Sequence, residues 1–266
     1  MLNSEVIESN TQFIKSWQYF TRQFPRGENL EMGGLAITWS NTETTFFNTI
    51  FVANPIQDEA DLEAKIKLAR DYADKHSKPW WLGICEDLLP ENLRPQAPEI
   101  LSRYELVPFI NLTGMAADRL LPPARLISTL DCVSVDNLET RKALVDINAI
   151  SFEMPSESLR ELFETEKFWN ETVFASVGYL EDKPVSSAMT LLIDGRFYLA
   201  FVATLPEYRK QGYGETVIRH CFAQAEQYCG TCPTVLHASP AGTSLYQRMG
   251  YHPVTYFKTY TSNVNS

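Results

Sequence analysis

The chain has 266 residues, room for one large domain or two of ordinary size. Hydrophobic residues make up 44% and charged residues 21%, the proportions of a soluble globular protein, and no apolar run is long enough to span a membrane. The net charge of −10 repels phosphate backbones, which excludes nucleic acid as a partner and favours cationic amines. The first residues lack the basic-then-apolar order of a secretion signal, so the expected location is cytoplasmic. Cys85, Cys132, Cys221, Cys229 and Cys232 are odd in number and scattered, unlike a disulfide framework. Cys229 and Cys232 spell C-x-x-C, but no second pair supplies further metal ligands, and they read as small residues in a helix-to-strand loop.

In chain order, Phe13, Trp17, Phe20 and Phe24 repeat at helical spacing, and Pro25 and Gly27 stop that helix. Residues 34–40 and 46–53 read as strands across a polar turn. A helix follows with Leu62, Ile66, Ala69 and Ala73 on one face, then a buried strand over 80–85, a short helix near 99–104 and a strand near 106–113. Residues 121–125, with Pro122 and Pro123, form the predicted linker, because two prolines disfavour both a helix and a central strand.

The second half begins with a strand over 126–135 and a helix over 137–152, with Asn137 as N-cap and Glu139 in the first turn. Pro155 breaks it, and 156–165 reads as a second helix. Strands follow over 173–180, 185–193 and 197–203, the last two joined by a hairpin turn at Asp194 and Gly195. A helix comes next with Val217, Ile218, Cys221, Phe222, Ala225 and Tyr228 on one face. A strand over 234–238, a helix over 243–249 and a strand region over 251–261 complete the chain.

The halves resemble each other. Phe51, Val52, Ala53 and Pro55 echo Phe201, Val202, Ala203 and Pro206, and Arg103 and Pro108 echo Arg248 and Pro253. The pattern predicts a duplicated α/β unit, with one domain over 1–125 and another over 126–266. The copies differ after the matched strand. The second has Arg209, Lys210, Gln211, Gly212, Tyr213 and Gly214, basic and glycine-rich; the first has Ile56, Gln57, Asp58, Glu59, Ala60 and Asp61, with three carboxylates and no glycine.

Gly212 and Gly214 allow close approach to main-chain N–H groups at a helix start, where donors lack partners and the dipole is positive. Arg209 and Lys210 add charge, so the segment suits a phosphate or pyrophosphate. A P-loop is absent, and a dinucleotide fingerprint lacks its third glycine because Val217 stands there. A third phosphate reading, a pyrophosphate loop for coenzyme A, is what a family resemblance implies.

From Arg209 to Gly214 the chain resembles the [RQ]-x-x-G-x-[GA] signature of the GNAT superfamily of N-acetyltransferases. Leu245, Tyr246, Gly250 and Tyr251 are similar to the L-Y-x-x-x-G-[FY] end of a later helix in that family, with Gly250 suited to a left-handed helix C-cap. The asparagine common before that helix is missing; Ser239 and Gly242 occupy the region, and Ser239 stands in for the CoA contact. The resemblance implies an α/β fold of two GNAT-like mixed-sheet units in tandem. The first is a degenerate copy without the loop, and the second carries the acyl-CoA site.

The resemblance implies further that acetyl-CoA is the co-substrate, that no metal takes part and that the acyl group passes directly to an amine-bearing acceptor, a small molecule or peptide. By the family pattern, Phe201, Val202 and Ala203 bind the pantetheine arm through the main chain, and Tyr246 protonates the departing sulfur. No carboxylate lies in 197–203, so the base is left among Glu153, Glu157, His237 and a water. Tyr208 either stacks on the ligand or lies on the surface, and Glu215 reads as a solvated helix-start charge. A non-catalytic acyl-CoA sensor or scaffold is the alternative function.

Overall fold

A computed structural model describes residues 3–123 and 129–262, as a mixed α/β protein in two compact units. The first unit contains residues 1–115, 237–243 and 253–266; the second contains 116–236 and 244–252. The expected linker is only partly described, and the expected boundary between residues 125 and 126 lies outside the described residues.

The first unit opens with α1 (Ser4–Thr21), capped by the Asn3 side chain. Its aromatic stripe is buried as the spacing requires: the Phe13 ring meets Phe51 at 4.9 Å and Phe257 at 5.1 Å. β1 (Glu28–Met32) and β2 (Leu35–Trp39) form a hairpin, β3 (Asn48–Val52) pairs antiparallel to β2, and α2 (Glu59–His76) crosses to β4 (Trp81–Cys85), parallel to β3. α3 (Ala97–Ser102) and β5 (Leu106–Ala117) follow. The neighbour of β4 on its other side is β11 (His252–Ser262), from the far end of the sequence, so this sheet runs β1-β2-β3-β4-β11-β5.

In the second unit, β6 (Asp131–Ser134) precedes α4 (Leu138–Phe152). Asn137 caps α4 and completes a reciprocal capping box with Thr140. Glu153 ends the helix in a left-handed conformation, φ 52°, and α5 (Ser156–Phe163) follows. β7 (Val173–Leu180), β8 (Lys183–Ile193) and β9 (Arg196–Thr204) form an antiparallel meander. Asp194 and Gly195 both have positive φ, as a primed hairpin turn demands. α6 (Tyr213–Cys229) then crosses to β10 (Thr234–Ala238), parallel to β9, and the sheet runs β10-β9-β8-β7-β6. α7 (Thr243–Arg248) completes the unit, all but its first residue belonging here.

The duplication read from the sequence therefore has a structural form. In both units an antiparallel strand leads through a helix to a parallel neighbour, β3-α2-β4 in one and β9-α6-β10 in the other.

Candidate functional site

The second unit's strand–helix junction is shaped first by β9. Against β8, Ser187 pairs with Ala203 and Met189 with Ala200, so Phe201 and Val202 together oppose Ala188 in a β-bulge. Phe201 takes a left-handed conformation, φ 49°, uncommon for a bulky residue. Serine hydroxyls of β8 hold the bulge from both faces: Ser186 donates to the Ala203 carbonyl at 2.9 Å and Ser187 to the Phe201 carbonyl at 3.4 Å. On the other edge, the parallel register with β10 ends at Leu199 opposite Leu236, two residues before the bulge.

A short 3-10 turn, Pro206–Tyr208, leads into the loop. The Arg209 guanidinium donates to the Thr204 carbonyl at 3.0 Å and to the Ser151 carbonyl at 3.1 Å, tying the end of β9 to the end of α4. Lys210, φ 62°, is exposed, and among the described residues its ammonium has no carboxylate partner. Gly212, φ 90°, is the N-cap of α6 and supplies no side-chain cap. The first intrahelical bond runs from the Thr216 N–H to the Gly212 carbonyl, so the N–H groups of Tyr213, Gly214 and Glu215 precede the helical ladder. The chain thus sets a glycine, uncapped donors, a helix dipole and one free ammonium at one spot, which is the chemistry of anion binding.

The side chains around this spot sort themselves. Tyr213 turns its ring into a core cluster with Leu130 and Val185, and can offer a ligand only its main chain. Tyr208 packs against the same cluster, with the Lys183 ammonium 4.9 Å above its ring. The Glu215 carboxylate is held by Arg219 at 2.7 Å. Glu215 therefore brings no unbalanced negative charge to the helix start. A Cβ on Gly214 would lie 3.5 Å from the Thr204 hydroxyl and 3.6 Å from Leu245, so the loop, the end of β9 and α7 meet there.

Tyr246 is buried on α7, its ring edge-on to Tyr251 at 5.8 Å. Among the described residues nothing hydrogen-bonds its hydroxyl, whereas the Tyr251 hydroxyl is 2.8 Å from Thr234 Oγ1. Burial pushes the Tyr246 phenol above its ordinary range. Gly250, φ 104°, caps α7, and the Tyr251 N–H returns to the Tyr246 carbonyl at 3.0 Å.

Four sequence candidates differ in character. Ser239 belongs to the first unit, where its carbonyl accepts the N–H groups of Gly242 and Thr243. His237, also of the first unit, is stacked on Phe13 at 3.9 Å and bonded to the Ser9 hydroxyl at 3.2 Å. Desolvation pushes its pKa down to about 3, too weak a base to deprotonate an ammonium. Glu153 and Glu157 are exposed, at the end of α4 and the start of α5. Cys229 and Cys232 are free thiols at and beyond the C-terminus of α6, and burial raises Cys229. Among the described residues no group of three or more His, Cys, Asp or Glu could hold a metal ion. No described helix is long and apolar enough to cross a membrane.

The equivalent junction of the first unit is closed by its own carboxylates. Asp58 caps α2 by accepting the Asp61 N–H at 2.9 Å, and Asp61 accepts the Gln57 N–H at 3.0 Å. Asp61 is also paired with Lys65, which holds its carboxyl below the usual range.

Residues 166–253 match the family profile described as "Acetyltransferase (GNAT) domain". A GCN5-related N-acetyltransferase from Kribbella flavida superposes with a TM-score of 0.72 at 18% identity, over 96% of this chain and 95% of that one. A functionally unknown conserved protein from Staphylococcus epidermidis gives 0.65 at 13% identity, over 91% and 96%. A tandem GNAT protein from the clavulanic acid biosynthesis pathway gives 0.58 at 10% identity, over 96% and 94%. Among curated protein sequences nothing matches. The match to the GNAT domain model thus falls on residues 166–253, and over its length the chain has the fold of these solved structures, a tandem GNAT protein among them.

Proposed function

We propose that this GNAT-fold chain is an acyl-CoA-dependent N-acyltransferase, moving an acetyl group from acetyl-CoA to a primary amine of a small molecule or peptide, in the cytoplasm and without a metal. The observation that carries the reading is the uncapped, glycine-started N-terminus of α6 beside Lys210, which has no carboxylate partner among the described residues, directly after the bulged strand β9. The pyrophosphate of CoA fits the N–H groups of Tyr213, Gly214 and Glu215, and the main chain of Phe201, Val202 and Ala203 fits the pantetheine arm.

In this reading the neutral amine attacks the thioester carbon and the carbon–sulfur bond breaks. The Tyr246 phenol gives its proton to the departing thiolate, and water carries away the proton lost by the amine. A phenol raised by burial keeps its proton at neutral pH, which suits the acid role. Neutralising the incoming ammonium falls to water or to the exposed Glu153 or Glu157, since no carboxylate lies on β9. The acidic chain favours a cationic acceptor.

That missing carboxylate supports a second reading, a protein that binds acyl-CoA without turning it over. Calorimetry with acetyl-CoA on the wild type and on Gly212→Asp, followed by thiol release with a panel of amines, separates the cases. Micromolar binding lost in the variant, with turnover of an amine, supports the transferase. Binding without turnover of any amine supports the sensor, and no binding by the wild type rejects both.

A further inference from the structure

Cys229 and Cys232 are brought together by a turn that glycine makes. Cys229 is the last residue of α6, and Gly230 after it has φ 78° and ψ 177°. That backbone region is essentially closed to residues with a side chain. A Cβ at Gly230 would meet nothing within 4 Å, so the glycine serves the turn and not the space around it. The turn sets Cys232 beside the helix end. Both sulfurs lie against one oxygen, the Gly230 carbonyl, Cys229 Sγ at 3.9 Å and Cys232 Sγ at 3.8 Å. Burial raises the Cys229 thiol above its ordinary range, and the neighbouring Cys232 thiol raises it further.

The pair differs from the other three thiols in access. Cys85 is 1% exposed and Cys221 0%. Cys132 packs against the core cluster of Leu130, Val185 and Tyr213, and burial pushes its thiol up to about 11. Cys229 and Cys232 are only half-buried, and Gly230 and Thr231 between them are exposed. A reagent in solution therefore reaches this pair first. The two members also differ from each other. Cys229 Sγ donates to the Ala225 carbonyl at 3.1 Å, whereas the contact of Cys232 Sγ with a carbonyl is the loose one at 3.8 Å. A bond between the two sulfurs would close a ring too short to remove much chain entropy, and it would stay accessible. Both properties belong to an exchanging disulfide and not to a structural one.

We propose that Cys229 and Cys232 are a redox-active dithiol, which closes to an intramolecular disulfide by exchange with a low-molecular-weight disulfide. The Cys232 thiolate attacks one sulfur of that disulfide. The small molecule's S–S bond breaks, one half leaves as a thiol, and the other stays on Cys232 as a mixed disulfide. The Cys229 sulfur, giving up its proton, then attacks Cys232 Sγ, and the second half leaves as a thiol. The protein gives up two protons and two electrons, and the small disulfide takes up both and becomes two thiols. The site stands apart from the acyl-CoA reading and does not depend on it.

The test treats the folded full chain with glutathione disulfide, blocks the remaining thiols with N-ethylmaleimide in denaturant, and reads the product by mass spectrometry. The expected product has one internal disulfide, no attached glutathione, and alkylation confined to Cys85, Cys132 and Cys221. Cys229→Ser, left without its resolving thiol, should keep one glutathione on Cys232. Cys232→Ser should take up glutathione about tenfold more slowly or worse, because the remaining thiol is the raised one. A wild type with every cysteine alkylated, or one that retains glutathione, overturns the proposal. So does oxidation of Cys85, Cys132 or Cys221 ahead of the pair. Equal rates in the two serine variants overturn the assignment of attacking and resolving thiols.

Discussion

The Asp58 carboxylate accepts the Asp61 N–H at 2.9 Å, so the first unit fills with its own chain the kind of helix start that Gly212 leaves uncapped in the second. One acetyl-CoA per chain is expected in calorimetry. Asp58→Ala should cost about 1 kcal/mol in urea unfolding, the usual loss of an N-cap, without creating a second binding site. A stoichiometry of two would mean that the carboxylates do not close the first junction.

Arg209 and Lys210 are neighbours with separable roles. Arg209 spans two main-chain carbonyls, so Arg209→Ala should lower both the melting temperature and the affinity for CoA. Lys210 is exposed and makes no ion pair among the described residues, so Lys210→Ala should change stability by less than about 0.5 kcal/mol. Its CoA affinity should fall several-fold at low salt and less at high salt. Equal thermal shifts in the two variants would refute the division.

Tyr246→Phe should reduce kcat about 100-fold, within the range of general acid catalysis, and leave CoA affinity within about twofold. Because burial raises the phenol, wild-type kcat should show no loss of this acid below about pH 10. A group whose folded pKa is raised contributes stability fully below its unfolded value and loses it as pH rises toward the folded value. Melting temperature should therefore decline above about pH 10, and less steeply in Tyr246→Phe.

His237 works in the opposite sense. Its pKa is pushed down to about 3, so it contributes stability above the unfolded value of about 6.5 and loses it as pH falls from there toward 3. Between pH 6.5 and 5.0 the wild type should lose about 2 kcal/mol more than His237→Phe in urea unfolding. Parallel losses would show that His237 titrates normally.

The sequence carried the parts of the fold that local chemistry encodes. Asn137 announced the start of α4, Asp194 and Gly195 the turn between β8 and β9, and Gly250 the end of α7, each because a cap or a positive φ demands a particular side chain. The strand–loop–helix from β9 to α6 was legible for the same reason. β1 was not read as a strand, since its five residues are mostly exposed and lack the alternation of a half-buried strand. The bulge at Phe201 was invisible because no glycine marks it. Arg209 read as a ligand cation, yet its guanidinium is turned to Thr204 and Ser151, carbonyls that carry no sequence signature.

β11 lies beside β4 in the first unit's sheet, with Phe257 opposite Cys85 and Tyr260 opposite Leu82. The consequence concerns the order of events at the ribosome. The first unit's helices and its strands up to β4 emerge early, but its sheet stays open at β4 until residues 253–262 have been synthesised. Over that interval the exposed edge of β4, apolar and fully buried in the finished protein, is a site for mispairing with other chains. Early translation stalls within the second half should thus expose the first half to chaperones, and cutting the chain after residue 252 should unfold the unit that was made first.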